Sequence, residues 1–393
     1  MSSTFYLAYR YLLYHRIKTS ILIASITLIV YLPVGLRVIV SQSADQLRSR
    51  AASTPLLVGA RGSPLGLVLN SLYFESSTPE PMRYEQVARI SDSGLATPVP
   101  LYVRFRARGF PVVGTTLEYI DLRGLRIAAG RELTMLGECV VGHEVAKSLG
   151  VTPGSSVVSQ GENVFDLAGV YPLKLQVVGV LAQSHTADDF AILVDIRTAW
   201  IIQGFGHGHQ DLAKLNDASA VLSRDRRTIV ANASVVEYNK IDSSNIDTFH
   251  FHGDRSQYPI TAIIAVPPDV KSAVILRGRY QSSAEACQIV EPAVVMEELL
   301  TTVLTVQSYI LTGFLVVGLS TVATAVLVFL LSVRLRRREI ETMVKIGGSR
   351  ARITSVLAAE IILVLVSSVV VGGMLTLLTS WFGSPAVRAF LLG

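Results

Sequence analysis

Charge is scarce in this sequence. Only 17% of its 393 residues are Asp, Glu, Lys or Arg, half are apolar, and a mean hydropathy of +0.47 is too high for an average soluble chain. Cysteine is scarcer still, with only Cys139 and Cys287. That excludes a disulfide-built scaffold and any Cys-rich metal module. Whether the two thiols pair is left open by spacing alone. The usual catalytic signatures are also missing. Gly59-Ala60-Arg61-Gly62-Ser63 has the glycines of a phosphate loop but neither its spacing nor its lysine. His143-Glu144-Val145-Ala146-Lys147 opens like a zinc-protease helix, yet Lys147 stands where the second ligand is required. No G-x-S-x-G elbow occurs. The chain is therefore not expected to be an enzyme, and any uphill work it does must draw on nucleotide hydrolysis in another subunit.

The apolar excess is concentrated at 19–36, 301–333 and 354–382, each long enough to cross about 30 Å of hydrocarbon as a helix. The first is the shortest and contains Pro33 and Gly35. A cleaved signal peptide is its alternative reading, but such peptides begin nearer the N-terminus and end in a small-residue cleavage site. Arg10, Arg16 and Lys18 precede the first segment without an acidic residue. Arg334, Arg336, Arg337, Arg338, Lys345, Arg350 and Arg352 lie between the second and third against Glu339 and Glu341. Setting aside those ten basic and two acidic residues leaves 25 basic and 28 acidic, so the overall +5 is a topology signal. The basic residues hug membrane boundaries and form no aromatic-interleaved patch, so nucleic acid is not an expected partner.

The expected organisation follows from these charges. Residues 1–18 form an amphipathic helix on the cytoplasmic surface and 19–40 the first transmembrane helix. Residues 41–292 form an extracytoplasmic α+β domain, 293–333 a stalk and second transmembrane helix, and 334–352 a cytoplasmic loop. Residues 353–382 form the third transmembrane helix and 383–393 a tail. Helical character from Pro292 to Arg338 implies a rod near 70 Å, more than twice the hydrocarbon thickness, with a helix broken near Val306-Gln307 as the alternative. Within the outer domain, 110–114, 138–141, 175–181, 191–194 and 260–266 have the β-branched density of strands, while 143–149 and the stretch ending at Ile202 follow strands as helices. The interrupted apolar stretch 65–74 suits a short core or surface helix better than a fourth span.

Residues 203–257 are rich in Asp, Asn, Ser, His and Gly, and are expected to be an inserted subdomain or long loops. Four of the seven histidines fall there in two i,i+2 pairs, His207/His209 and His250/His252. On a strand, residues two apart face the same way, so each pair can present two imidazoles to zinc or another divalent metal. His185, Asp188 and Asp189 are further candidates. Polar surface is the alternative for all of them.

The loop Arg336-Arg337-Arg338-Glu339-Ile340-Glu341-Thr342-Met343-Val344-Lys345-Ile346-Gly347-Gly348-Ser349-Arg350 encodes a short amphipathic helix in which Ile340, Met343 and Val344 share a face and Gly347-Gly348 end the turn. A partner groove or the positive-inside rule alone would each account for it. The loop resembles the cytoplasmic motif of the MacB/FtsX-type ABC permease family. The outer domain is similar too, in order along the chain, at Val113-Gly114-Thr115-Thr116-Leu117-Glu118-Tyr119, Gly130-Arg131-Glu132, Val140-Val141-Gly142-His143-Glu144-Val145-Ala146, Leu149-Gly150-Val151-Thr152-Pro153-Gly154 and Val177-Val178-Gly179-Val180-Leu181.

The resemblance implies a homodimeric, multi-pass permease of the bacterial cytoplasmic membrane with its large domain on the periplasmic or extracellular side. It implies no directly bound cofactor, with ATP used through a separate ABC ATPase subunit that docks on Arg336, Arg337, Arg338, Glu339, Ile340, Met343, Val344, Lys345, Gly347 and Gly348. A periplasmic or outer-membrane partner, or the regulation of cell-wall enzymes, also falls within what it implies. A membrane-tethered metal-binding or receptor protein is the alternative. The family usually has a fourth span, for which the expected layout of this sequence has no counterpart.

Overall fold

The computed structural model describes residues 3–160, 172–209, 221–224, 229–231, 238–282 and 287–392. These fall into two units, Met1–Asp45 with Leu300–Phe390, and Gln46–Leu299 with Leu391–Gly393. The chain opens with α1 (Ser3–Tyr14) and α2 (Arg16–Ala52).

The second unit is built on β1 (Leu56–Ala60), β2 (Thr97–Ala107), β3 (Phe110–Thr115), β4 (Ile127–Gly130), β5 (Glu138–Val141), β6 (Ser156–Val158), β7 (Lys174–Leu181), β8 (Ile192–Asp195), β9 (Gly206–Gly208), β10 (Phe249–Phe251), β11 (Ala262–Val266) and β12 (Cys287–Val290). Ten of these strands make one sheet in the order β12-β1-β11-β2-β3-β8-β5-β7-β4, with β6 also on β7. The β3–β8 and β5–β7 pairs are parallel and the other pairs antiparallel, a mixed α+β arrangement. Both faces of the sheet are buried. Leu56, Val58, Cys139, Val141, Ile192 and Val194 point into one apolar cluster and Leu57, Val140 and Leu193 into the other. That period of two explains why the strands read as continuous apolar runs. Each such fully buried side chain contributes about 1.5–3 kcal/mol.

Helices α3 (Pro64–Tyr73), α4 (Glu85–Asp92), α5 (Leu117–Arg123), α6 (His143–Leu149), α7 (Ile196–Ile202) and α8 (Val270–Ser282) flank the sheet. The interrupted apolar stretch is α3, a core helix. Ser63 caps it by accepting from Gly66 N–H, and Pro64 sits in its first turn, where no amide donor is needed. Asn70, the polar interruption, is 1% exposed and donates to the carbonyls of Glu75 and Val103. Its amide N–H groups therefore keep partners inside the core. Cys139 and Cys287 are buried on β5 and β12, six strand steps apart, and are not disulfide-bonded to each other. At about 4.8 Å per step that is roughly 29 Å, so they cannot bridge.

The chain closes with α9 (Pro292–Leu335), α10 (Arg337–Lys345) and α11 (Arg350–Leu392). Among the described residues, three helices are long and apolar enough to cross a membrane: α2, α9 and, within α11, Arg350–Trp381, with mean hydropathies of 2.2, 2.6 and 2.7 in their most apolar windows. The 44 residues of α9 make a rod of about 66 Å. Its hydroxyls bond to its own backbone, Thr305 to the Thr301 carbonyl, Thr312 to Ser308, Thr321 to Val317 and Thr324 to Ser320. A polar group facing lipid needs such an internal acceptor. Within the first unit α2 meets α11 through small and hydroxylated residues. Thr27 donates to the Ser368 carbonyl at 3.2 Å, Tyr31 bonds Thr379 at 2.8 Å, and Gly372 lies against Val30 and Thr27. The helix α2 runs on to Ala52 and α11 to Leu392.

Candidate functional site

Three constellations stand out. The first lies where α2 ends in the outer domain. Arg50 is 6% exposed and makes a two-pronged pair with Asp188, Nη1 to Oδ2 at 2.6 Å and Nη2 to Oδ1 at 3.0 Å. Arg50 also donates to Tyr119 Oη at 3.0 Å and to the Leu72 carbonyl, and stacks over Phe74. Tyr119 in turn donates to Asp188 at 2.7 Å. Thr186 Oγ1 donates to the other Asp188 oxygen. Two residues before Arg50, Arg48 grips Glu297 of α9 through Nε and Nη2 at 3.0 and 3.2 Å. Arg50 therefore anchors the end of α2 in the domain, and Arg48 ties that end to α9. Sequence reading misses Arg50, because its carboxylate partner is 138 residues away.

Burial alone would raise the Asp188 pKa, but the Arg50 charge and the hydrogen bonds from Arg50 and Tyr119 override it and hold it at about 2. Glu138 is likewise about 2, since bonds from Arg131 and from the Thr134 and Met135 amides outweigh its desolvation. Lowered folded-state values mean that this stability is complete above the unfolded carboxylate values near pH 4 and is lost as pH falls towards 2. Equilibrium unfolding between pH 6 and pH 2 is expected to show the drop in that window. Asp188→Asn should remove about 2–3 kcal/mol of the pH-dependent part.

The second constellation is the basic loop. Arg336 turns inward, bonding Glu360 at 3.1–3.3 Å with its guanidinium 3.1 Å from the Tyr11 ring centroid. Glu360, 4% exposed, is thus the structural partner of a loop arginine, an outcome the sequence leaves open. The surface of α10 is made by other residues. Arg337, paired with Glu341 at 3.1 Å, is exposed, as are Arg338, Lys345, Met343 and Val344, while Ile340 is half-buried. The side chain of Glu339 lies outside the described residues. Gly347, at φ +95°, and Gly348, whose N–H bonds the Met343 carbonyl, end the helix. Ile346, 80% exposed, extends the apolar face and is absent from the sequence-derived set.

The third is histidine-lined. Strands β9 and β10 pair antiparallel with His207 opposite His250. Ring centroids lie 4.8 Å apart for His207–His250, His207–His252 and His250–His252, 5.1 Å for His209–His250 and 5.7 Å for His207–His209. All four candidates from the sequence are therefore brought together. His185, Asp188 and Asp189 are not among them. Asp188 is committed to Arg50, and Asp189 accepts from Ser184 and the His185 amide to close a turn. Residues 210–220, 225–228 and 232–237 of the expected insertion lie outside the described residues. Its described parts include strands as well as loops.

Among solved structures the chain is similar to the periplasmic region of MacB from Actinobacillus actinomycetemcomitans, at 11% identity over 63% of this chain and 92% of that one, with a TM-score of 0.36. It is also similar to the extracellular domain of the noncanonic ABC-type transporter YknZ from Gram-positive bacteria, at 13% identity over 60% and 98%, with a TM-score of 0.33. At such TM-scores these likenesses carry no weight in the assignment. A comparison with curated proteins gave no match. The family model described as the MacB-like periplasmic core domain matches residues 20–221, just over half of the chain. On that match the chain belongs to the MacB/FtsX-type ABC transporter permease family.

Proposed function

We propose that this ABC permease component couples ATP hydrolysis by a separate ATPase to movement of its outer domain, with α10 as the docking element. The observation that carries the reading is the exposed amphipathic surface of α10, apolar at Met343, Val344 and Ile346 and basic at Arg337, Arg338 and Lys345, set between two helices of membrane-spanning length. A short helix with one apolar stripe is suited to a groove on a partner. Further support comes from Arg50, whose ion pair fastens the end of α2 to the domain, and from Arg48, which ties that end to α9. In this reading the permease works as a homodimer in the inner membrane, and a periplasmic or outer-membrane protein receives the motion.

Co-expression with candidate ATP-binding cassette proteins from the same organism tests the proposal. One of them should copurify, and reconstitution of the permease should raise its ATPase turnover several-fold. If none copurifies or changes its rate, the docking assignment is removed.

A further inference from the structure

We propose that His207, His209, His250 and His252 form a binding site for a divalent late transition metal, zinc or one of its neighbours, on the outer domain. The argument begins with a pattern of two. One strand continues Gly206-His207-Gly208-His209 and its partner Phe249-His250-Phe251-His252, so pairing them in this register collects every imidazole on one face. The opposite face explains the glycines. A Cβ at Gly206 would lie 2.8 Å from the Phe251 ring and one at Gly208 2.5 Å from the Phe249 ring, so the two phenyl rings lie flat across bare backbone. Phe251 reaches Tyr258, which packs edge-on against Trp200 in the domain core. The hairpin is thereby fastened on its aromatic side and offers the imidazoles on the other, with His207 and His209 half-buried and His250 and His252 exposed.

The spacing matches one ion. Zinc–nitrogen bonds of about 2.0–2.1 Å at tetrahedral angles place the centroids of two ligating imidazoles about 5 Å apart, with the bonded nitrogens roughly 3.3 Å apart. Five of the six centroid pairs, all but His209–His252, lie between 4.8 and 5.7 Å, and ligand atoms of His207, His209 and His250 are all within 4.8 Å of one another. His250 is already oriented, because its Nδ1 bonds the Thr248 carbonyl at 3.0 Å. A carbonyl only accepts, so the proton is on Nδ1 and Nε2 carries the free lone pair. Ligating imidazoles are usually held by such an outer bond. A donor set of four imidazoles without thiolate or carboxylate favours Zn²⁺, Cu²⁺ or Ni²⁺ over Mg²⁺ or Ca²⁺. The ion would join two segments 43 residues apart in the sequence, a cross-link across the insertion.

The test uses the full chain in detergent micelles without any ATPase, so its outcome is separate from that of the permease assignment. Titration with Co²⁺ should give one equivalent with the intense visible bands of tetrahedral coordination, displaced by Zn²⁺, and zinc-edge X-ray absorption should count three or four imidazole shells. Replacing His207 and His250 together by Ala should weaken Co²⁺ affinity by at least about 100-fold, since each ligand carries a large share of the total binding energy. Pale octahedral spectra in the wild type, or no more than one imidazole around zinc, would overturn the site without recourse to any variant. So would a folded His207→Ala/His250→Ala protein that binds Co²⁺ as tightly as the wild type.

Discussion

Replacing Arg50 by Met is expected to lower the stability of the outer domain by about 3–5 kcal/mol, the cost of leaving one member of a buried ion pair without its partner. The size follows from what remains. Asp188 is 1% exposed and would keep only Tyr119 and Thr186 as hydrogen-bond donors from side chains, with the Arg123 charge as its remaining weaker support. The Leu72 carbonyl would lose its side-chain donor as well. Unpaired, the carboxylate must either stay charged in an apolar site or take up a proton, and its pKa then rises from about 2. For a domain of about 200–250 residues, this loss corresponds to a fall in Tm of roughly 6–20 °C. Thermal unfolding in detergent measures it directly. Arg50→Met combined with Asp188→Leu should recover most of the loss, because replacing both charges removes the orphan. If the single variant melts within 2 °C of the wild type, Arg50 is not the anchor described here.

The same residue shows where sequence reasoning ends. Strands 110–114, 138–141, 175–181 and 191–194 and helices 143–149 and 196–202 are legible because burial on both faces makes apolar runs, and glycines or polar turns punctuate them. Strand β2 is not, since Pro98 and Pro100 interrupt its start and Arg104 and Arg106 alternate near its end. Pro98 and Pro100 stand opposite Ala265 and Ile263 of β11, ahead of the stretch that also pairs with β3, which begins at Tyr102. The length of α2 was recoverable from one signal, the absence of glycine and proline between Gly35 and Pro55, but hydropathy ends the segment sooner. Polar side chains in 41–52 hide that the helix goes on to place Arg50 in a core. Pairs distant in sequence, Arg50 with Asp188 and Arg336 with Glu360, are set by tertiary packing and leave no local trace. The histidines are the opposite case. Their i,i+2 spacing already encodes two same-facing pairs, and only the register that unites the pairs had to come from the structure.

That distinction between inward and outward loop residues yields the second large expected effect. Met343→Asp together with Ile346→Asp should weaken ATPase binding by about 30-fold or more and abolish its stimulation, because a desolvated apolar anchor at the centre of an interface is commonly worth 2 kcal/mol or more. Met343 is 49% and Ile346 80% exposed, so neither change removes core packing, and the Tm of the permease alone should move by less than about 2 °C. Arg337→Glu with Arg338→Glu should act through charge, with a loss that shrinks as salt rises and screens the interface. Arg336→Gln separates the two kinds of residue. Its guanidinium is spent on Glu360 and the Tyr11 ring, so its loss should destabilise the helical unit and reach the ATPase only through that change. Equal loss of binding from Arg336→Gln at unchanged Tm would mean that Arg336 leaves Glu360 to meet the partner. Full stimulation by the Met343→Asp/Ile346→Asp protein would mean that the ATPase docks elsewhere.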